Sequence, residues 1–228
     1  MYQNWLKTEY KPGSPWDTTV KCNFFMRGSK WEREANLTIF DKGKLELEQN
    51  IGIRIKGNAS RAYPIKSFNL YAKKKYGKSV IKTDLLKDNY DIEGNLINSY
   101  KKLSIRGAYP PDRIKEKIGR DLYYDRKLTS ANMIPSILFL NGEYWGFYYF
   151  AEKIGNDLFE ENYLIPSKNV SVLKNNEVED GPEEELTNFQ NFCLEYSKKD
   201  VSDLKIYEEI NNFIDVDSFI ELYAKNYI

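Results

Sequence analysis

A small-residue loop lies a few positions before a lysine in the stretch GIRIKGNASRAYPIKSF, residues 52–68. Backbone N–H groups and a hydroxyl in such a turn can bind a phosphate group, and a lysine ammonium can neutralise its charge. The pattern therefore predicts a phosphate site, and the alternative is an ordinary hairpin turn followed by a solvated edge-strand lysine. The candidate residues are Gly57, Asn58, Ser60, Arg61 and Lys66.

Composition excludes several classes of chemistry. The 228 residues include no histidine, which removes Ser-His-Asp and Cys-His catalysis and the commonest zinc ligand. A general base must then be a carboxylate, a lysine or a tyrosine, and a metal is expected to be magnesium or calcium on oxygen ligands. Lys plus Arg equals Asp plus Glu, at 34 each, and this balance argues against a nucleic-acid-binding protein.

Other global features indicate a globular chain. Hydrophobic residues make up 41% and charged residues 30%, a balance typical of folded domains. No segment is long and apolar enough for a transmembrane helix, and the first residues lack the pattern of a signal peptide. Cys22 and Cys193 are distant in sequence and fit no CxxC motif, so two inert thiols are favoured over a disulfide.

The elements that must position the candidate loop are read from hydrophobic periodicity. Alternation with period 2 predicts strands. The polar stretch 77–100 is expected to be a loop with one short helical turn near Leu85. The strongest hairpin is SILFLNGEYWGFYYFAEKI, residues 136–154, with Asn141-Gly142 as a type I′ turn. The other predicted strands are 18–26, 35–40, 44–48, 52–56, 66–73 and 102–107.

Helical periodicity dominates the second part of the chain. Ile114, Ile118 and Leu122 recur at helical spacing, which predicts a helix over residues 112–127. Further helices are predicted at 156–163, 183–199 and 215–228, with the stretch KNNEVEDGP as a loop. The order predicts an α+β fold, with a β-rich domain over residues 1–153, carrying one main helix, and a helical domain over residues 154–228. Its closest general pattern is the two-lobed layout of protein kinases.

Four stretches, taken in order, resemble the spore-coat CotH protein kinase family, an atypical branch of the protein-kinase-like fold. They are GIRIKGNASRAYPIKSF, LSIRGAYPPD, the helix beginning IKEKI, and LNGEYWGFYYFAEKI. NGEYWG is the most specific of them, and the resemblance extends from about residue 50 to the end of the chain. Two positions depart from the family pattern: Lys115-Glu116 replaces an Arg-Asp pair, and Gly107 replaces an asparagine.

The resemblance implies an ATP-dependent protein Ser/Thr kinase, a transferase that uses ATP and Mg²⁺. Its substrate would be a Ser/Thr-rich protein of the spore coat or the cell surface, and its location would follow that substrate. By the same resemblance the family's substrate-orienting Asp and its magnesium ligands lie beyond a helix like 216–228. The chain is therefore expected to be truncated: it would hold the nucleotide-binding part without the catalytic segment, and no catalytic or metal-binding residue is assigned.

The resemblance also assigns roles within the nucleotide site. Glu116 is expected to pair with Lys66, with Asp121 as the alternative partner. Glu152 and Lys153 are expected at the hinge beside the adenine edge. The remaining candidates are Tyr148, which either stacks on the base or packs in the core, and Arg61 and Arg106, which either bind an anion or are structural.

A second hypothesis belongs to a different class of protein. The aromatic strand around Tyr144, Trp145 and Tyr148 would equally suit a non-catalytic surface or adhesion module that binds carbohydrate or protein. Measuring nucleotide binding separates the two hypotheses, because such a module should bind neither ATP nor magnesium.

Overall fold

The computed structural model describes residues 22–108, 114–122, 128–174 and 176–225. The described residues cluster into two compact units. The β-rich unit contains those between 22 and 114 together with 131–153, and the helical unit contains those between 115 and 130 together with residues from 154 onward. Segment 115–130 therefore clusters with the helices, whereas the sequence analysis grouped its helix with the β-rich domain.

The β-rich unit is built on a six-stranded antiparallel sheet with the order β1-β2-β3-β6-β8-β7. A separate two-stranded ladder pairs β4 with β5. The predicted strands at 35–40, 44–48, 52–56, 66–73 and 102–107 all correspond to strands of the sheet, with 44–56 forming one continuous strand. The strands are β1 (Arg33–Asp41), β2 (Lys44–Lys56), β3 (Ser67–Tyr71), β4 (Ile81–Lys82), β5 (Ser99–Tyr100), β6 (Lys102–Gly107), β7 (Met133–Leu140) and β8 (Glu143–Glu152).

Two tight turns connect the edge strands to their neighbours. Asn141 and Gly142 have φ angles of 52° and 79°, and Lys42 and Gly43 have φ angles of 48° and 78°. Positive φ at both central residues is the condition for a type I′ turn, whose twist matches that of paired strands. The Asn-Gly hairpin predicted from the sequence is confirmed, and the β1–β2 hairpin uses the same geometry.

Segment 72–100 covers one face of the sheet. Ile81, Leu86 and Tyr100 are buried in one core cluster with Leu70 and Leu103 of the central strands. The predicted helical turn near Leu85 is wrong, because regular structure in this segment is limited to the 3-10 turn Lys74–Tyr76 and the β4–β5 ladder, and most of the remainder is loop as predicted. Its many polar residues masked a few widely spaced apolar side chains, which have no periodicity that sequence analysis could detect.

The segment before β1 consists of two 3-10 turns, Asn23–Phe25 and Ser29–Trp31. The strand predicted at 18–26 is therefore wrong for residues 22–26, and residues 18–21 lie outside the described part of the chain. Apolar residues in the stretch CNFFM fit a strand pattern locally. In the structure their backbone instead turns and presents carbonyl groups to a distant arginine.

A buried carboxylate attaches this segment to the sheet. Glu32 accepts hydrogen bonds from Lys73 Nζ at 2.7 and 2.8 Å and from Tyr76 Oη at 2.9 Å. Arg54 and Lys75 complete the contacts, at 3.4 and 3.1 Å. Burial alone would raise the pKa of the Glu32 carboxyl, but the hydrogen bonds from the two lysines and Tyr76 outweigh burial and lower it.

The helical unit contains five helices among its described residues and one short hairpin. The predicted helices at 156–163 and 183–199 are found, as are the described parts of the predicted helices 215–228 and 112–127. Residues 112–113, 123–127 and 226–228 lie outside the described part of the chain. The elements are α1 (Lys115–Leu122), α2 (Asn156–Tyr163), β9 (Val172–Lys174), β10 (Glu177–Asp180), α3 (Glu184–Tyr196), α4 (Leu204–Phe213) and α5 (Val216–Lys225).

Two features of the helical unit differ from the sequence analysis. The stretch predicted as a loop contains β10, which pairs with β9. Helix α4 had no predicted counterpart; it begins after Asp203, whose carboxylate accepts a hydrogen bond from Lys205 N at 2.9 Å as an N-cap. Phe213 of this helix stacks on Phe192 of α3 with ring centroids 4.0 Å apart, so packing between helices fixes its position.

Cys22 is buried, Cys193 is exposed, and both are free thiols. A disulfide between them is therefore absent, in line with the sequence analysis. Among the described residues, every helix is too short or too polar to cross a bilayer.

We predict that Glu32→Gln lowers the free energy of unfolding by about 1–3 kcal/mol at pH 7, because three hydrogen bonds to a buried charge are weakened. Glu32 has a lowered pKa in the folded state, so its contribution is fully present above its ordinary pKa of 4.5. It is lost as pH falls through the folded-state value.

Urea unfolding between pH 7 and pH 3 measures both effects. The variant should show a shallower loss of stability with acid than the wild type. Glu46→Gln is the matched control, because Glu46 is an exposed carboxylate of β2. Equal losses of unfolding free energy in Glu32→Gln and Glu46→Gln would contradict the structural role of Glu32.

Candidate functional site

The β-rich unit contains a cavity of about 810 Å³. Its wall comes from three parts of the chain: segment 22–33, the strands β2 and β3 with the connection between them, and the start of β8. Its lining residues include seven aromatic ones, namely Phe24, Trp31, Phe68, Tyr71, Tyr144, Trp145 and Tyr148.

The charge of the cavity wall is strongly unbalanced. Glu143 is the one acidic residue among the described residues that line it. The field inside a low-dielectric cleft concentrates such an imbalance, and it favours an anionic ligand. The cationic lining residues are Arg27, Arg33, Arg54, Arg61 and Lys66.

Arg61 is buried and its guanidinium binds backbone carbonyls. Nε donates to Gly57 O at 2.5 Å, and Nη1 donates to Phe24 O at 3.2 Å and to Met26 O at 3.0 Å. Burial, reinforced by the neighbouring charges of Arg27 and Arg54, lowers the pKa of Arg61 to about 10. Of the two roles considered from the sequence, these contacts favour the structural one, since the guanidinium joins two segments of the chain.

The loop 57–60 has a conformation that depends on glycine. Gly57 has a φ of +114°, and a Cβ at this position would collide with Ser60 Oγ. Asn58 uses its Oδ1 to accept a hydrogen bond from Arg27 Nη2 at 2.6 Å. The loop thus supports a neighbouring arginine, and direct phosphate binding by Gly57, Asn58 and Ser60 stays a prediction.

Lys66 lies at the start of β3 and faces the cavity. Its Nζ donates to Arg61 O at 2.5 Å and lies 4.3 Å from the centroid of the Phe24 ring. Burial lowers the pKa of Lys66 to about 8. Among the described residues of the β-rich unit, no carboxylate lies within ion-pair distance of this ammonium, so a bound anion would stabilise its charge.

The predicted partners of Lys66 lie on helix α1 of the helical unit. Glu116 Oε1 accepts a hydrogen bond from Arg120 Nη2 at 3.0 Å, one helical turn away. Asp121 forms an ion pair with Lys117. The pairing of Lys66 with Glu116 or Asp121 therefore stays a prediction, since each carboxylate already has a cation on its own helix.

Tyr148 is fully buried within the core cluster and contributes to the cavity wall. A ring without exposed surface has no face ready for a base, so its contacts favour the core-packing alternative. Gly107 lies opposite Tyr148 in the sheet, and a Cβ there would collide with Ile65 Cγ2. The space that the family's asparagine side chain would need is thus taken by Ile65 of the connection that carries Lys66.

Two more candidates lie outside the cavity wall. Arg106 pairs with Tyr149 across the sheet and is not a lining residue. Glu152 is buried, with its carboxylate accepting from Asn89 Nδ2 at 2.8 Å and from Asn132 N at 2.7 Å. Its backbone N–H donates to Asn132 O at 3.0 Å, so Glu152 fastens the end of β8, and its contact with an adenine edge stays a prediction.

Sequence analysis missed the part of the site that comes from segment 22–33. Arg27 is exposed at the cavity and Trp31 is 37% exposed there. Arg54 of β2 lies 3.8 Å from the centroid of the Tyr71 ring. Its place in the GIRIK alternation was a usable signal, since that pattern puts it on the opposite face from the two flanking isoleucines. The described residues include no cluster of three or more acidic or thiol side chains suited to a metal ion.

The family model described as "CotH kinase protein" matches residues 53–228, which is most of the chain. No curated protein matches the chain.

We predict that Gly57→Ala lowers the free energy of unfolding by about 1–3 kcal/mol. A φ of +114° lies outside the left-handed region that other residues tolerate, and the Ser60 hydroxyl would have to turn away. Thermal and urea unfolding measure the loss.

Gly43→Ala is the matched control, because its φ of +78° is close to the tolerated region and no atom lies within 4 Å of the added Cβ. We expect Gly43→Ala to cost about 1 kcal/mol or less. If Gly57→Ala costs no more than the control, the loop does not depend on this glycine.

Proposed function

Because the chain belongs to the CotH kinase family, we propose that its β-rich unit binds ATP in the cationic cavity, as part of a CotH-type protein Ser/Thr kinase. The observation that carries the proposal is the excess of positive charge in a cavity of about 810 Å³ lined with aromatic rings. A nucleotide combines an anionic polyphosphate with a planar base, so it complements both properties. The volume lies within the usual range of small-molecule sites.

Lys66 is the cation best suited to the phosphate groups. It is half-buried and has no carboxylate partner among the described residues of its own unit, so its ammonium would gain more from a bound anion than a solvated lysine would. An ammonium has three donors, and Arg61 O accepts one. Phosphate oxygens could accept the others.

Exposed aromatic rings at the cavity are the better candidates for a base than the buried Tyr148. Tyr144 is 63% exposed and Trp31 is 37% exposed, and both line the cavity. Stacking on such rings is tolerant of base identity and contributes about 1–3 kcal/mol. We propose that the base lies against one of these rings and that Tyr148 forms part of the wall behind it.

Magnesium, when bound, would bridge the phosphate oxygens of ATP and neutralise their charge. The described residues provide no acidic cluster for it, so no step is assigned to a protein-held metal. The proposed phosphoacceptor is a Ser/Thr-rich protein of the spore coat or cell surface. Nucleotide binding is the part of this function that a binding measurement tests directly.

The competing function is a non-catalytic module that binds carbohydrate or protein through the same aromatic rings. The exposure of Tyr144 favours it, because an open aromatic ring also suits a sugar face. Isothermal titration of residues 1–228 with ATP and magnesium separates the two functions. Binding of ATP supports the kinase-type site, whereas binding of oligosaccharide with no binding of ATP would support the module.

We predict that ATP affinity falls as pH rises above about 8, by roughly tenfold per pH unit if one proton is involved. Burial lowers the pKa of Lys66 to about 8, so above this pH the free protein holds the neutral amine. An anion favours the charged form, and binding must then take up a proton. Titration in two buffers of different ionisation enthalpy measures this uptake directly.

Lys66→Gln should abolish the proton uptake and weaken ATP binding, because it keeps a hydrogen-bond donor and removes the charge. Lys44→Gln is the matched control, since Lys44 is an exposed lysine at the β1–β2 hairpin. If the uptake persists in Lys66→Gln, another group titrates and the assignment of Lys66 is wrong.

A further inference from the structure

Segment 22–33 lines the cavity although it precedes the family match, which begins at residue 53. It supplies about a third of the cavity wall, including two of the five cationic residues. The residues it contributes are Asn23, Phe24, Met26, Arg27, Gly28, Trp31 and Arg33.

The segment is fastened at both ends by charged groups. At its start, Arg61 donates to the carbonyls of Phe24 and Met26. At its end, the buried Glu32 binds Lys73 and Arg54. These contacts reach across 22 to 41 residues of sequence, so the folded sheet, and not local sequence, determines where the segment lies.

Four of the cavity cations differ in how their guanidinium groups are used. Arg61 uses three of its five donors on backbone carbonyl groups. Arg33 Nη1 donates to the carbonyls of Lys30 and Glu32. Arg54 lies against Glu32 and the Tyr71 ring. Arg27 is different, because within the described part of the chain Asn58 is the one residue that accepts a hydrogen bond from it.

The contact with Asn58 orients Arg27 without neutralising it. An amide oxygen accepts one hydrogen bond from Nη2 at 2.6 Å and carries no charge. A guanidinium has five N–H donors in a planar fork, so four have no acceptor within the described part of the chain, on an exposed side chain at the cavity. This is the state in which an arginine binds phosphate oxygens in a bidentate way.

We propose that Arg27 is a further phosphate contact of the nucleotide site and that Asn58 is the residue that positions it. This inference rests on the proposed function, because the phosphate is that of the bound nucleotide. It changes the role of the GNAS loop: its asparagine holds the arginine that binds phosphate. It also means that segment 22–33 contributes a ligand-binding residue to the site.

The test measures the binding of three probes, ATP, adenosine and inorganic tripolyphosphate, to the full chain and its variants. Arg27→Gln should weaken ATP and tripolyphosphate binding by roughly tenfold or more and leave adenosine binding unchanged. Arg27→Lys should recover part of the loss, since it restores the charge but not the fork. Asn58→Ala should show the same selective loss to a smaller extent.

Lys30→Gln is the matched control, because it removes a positive charge from the same segment at an exposed residue that does not line the cavity. The inference is overturned if Arg27→Gln and Lys30→Gln bind tripolyphosphate equally well. An equal loss of ATP and adenosine binding by a folded Arg27→Gln also overturns it, since that would indicate collapse of the cavity.

The outcomes separate this inference from the proposed function. Wild-type binding of ATP with an unaffected Arg27→Gln variant overturns the inference and leaves the function standing. Loss of tripolyphosphate binding in Arg27→Gln supports the phosphate contact even if the wild type prefers other phosphorylated ligands to ATP. A wild type that binds neither ATP nor tripolyphosphate overturns both.

Discussion

The cavity depends on a buried cation, Arg61, that has no carboxylate partner among the described residues of its own unit. Removing a guanidinium from water is costly, and hydrogen bonds from charged donors to backbone carbonyls are strong enough to offset much of that cost. Arg61 makes three such bonds, one to Gly57 in the β2–β3 connection and two to the segment that precedes β1. Because carbonyl dipoles satisfy the donors without cancelling the charge, the guanidinium adds to the positive potential of the cavity.

Two buried charges in this unit are stabilised in opposite ways. Glu32 is surrounded by cationic side chains and a tyrosine hydroxyl, so its charge is neutralised locally. Arg61 donates instead to carbonyl dipoles, which leave its charge in place. Arg54 therefore forms an ion pair with the Glu32 carboxylate, whereas Arg27 and Lys66 keep hydrogen-bond donors for a ligand. The β-rich unit thus contains a buried carboxylate, Glu32, whose charge is neutralised by its neighbours, and a cavity whose described lining carries excess positive charge.

Sequence patterns predicted the elements whose side chains alternate regularly. The β7–β8 hairpin follows from Asn141-Gly142 and its flanking apolar runs, and the pairing of β2 with β3 follows from the period-2 pattern around the GNAS loop. The β4–β5 ladder and helix α4 were not predicted. The ladder depends on burial of isolated side chains such as Ile81, which leave no periodic signal. Helix α4 does carry a helical pattern, with Ile206, Ile210 and Phe213 at i, i+4 and i+7, and sequence analysis missed it.

The candidate site was predicted only where its parts are close in sequence. Lys66 and the loop before it are separated by a few residues, so a hairpin had to bring them together. Arg27 reaches the same place from 31 residues earlier than Asn58, which no spacing rule could show. Arg61 was predicted as an anion ligand or a structural residue, and the choice required its three carbonyl partners.

The position of segment 22–33 has a practical consequence for how the domain is delimited. A boundary drawn at residue 53, where the family match begins, would cut through β2 and delete β1 together with the anchor at Glu32. It would leave Arg61 with one of its three carbonyl partners and would expose Lys66 by removing the Phe24 ring. The four remaining residues of β2 would then be the sheet edge, and such an unprotected edge invites self-association. A piece of the chain that keeps every lining residue of the cavity must therefore begin no later than Asn23.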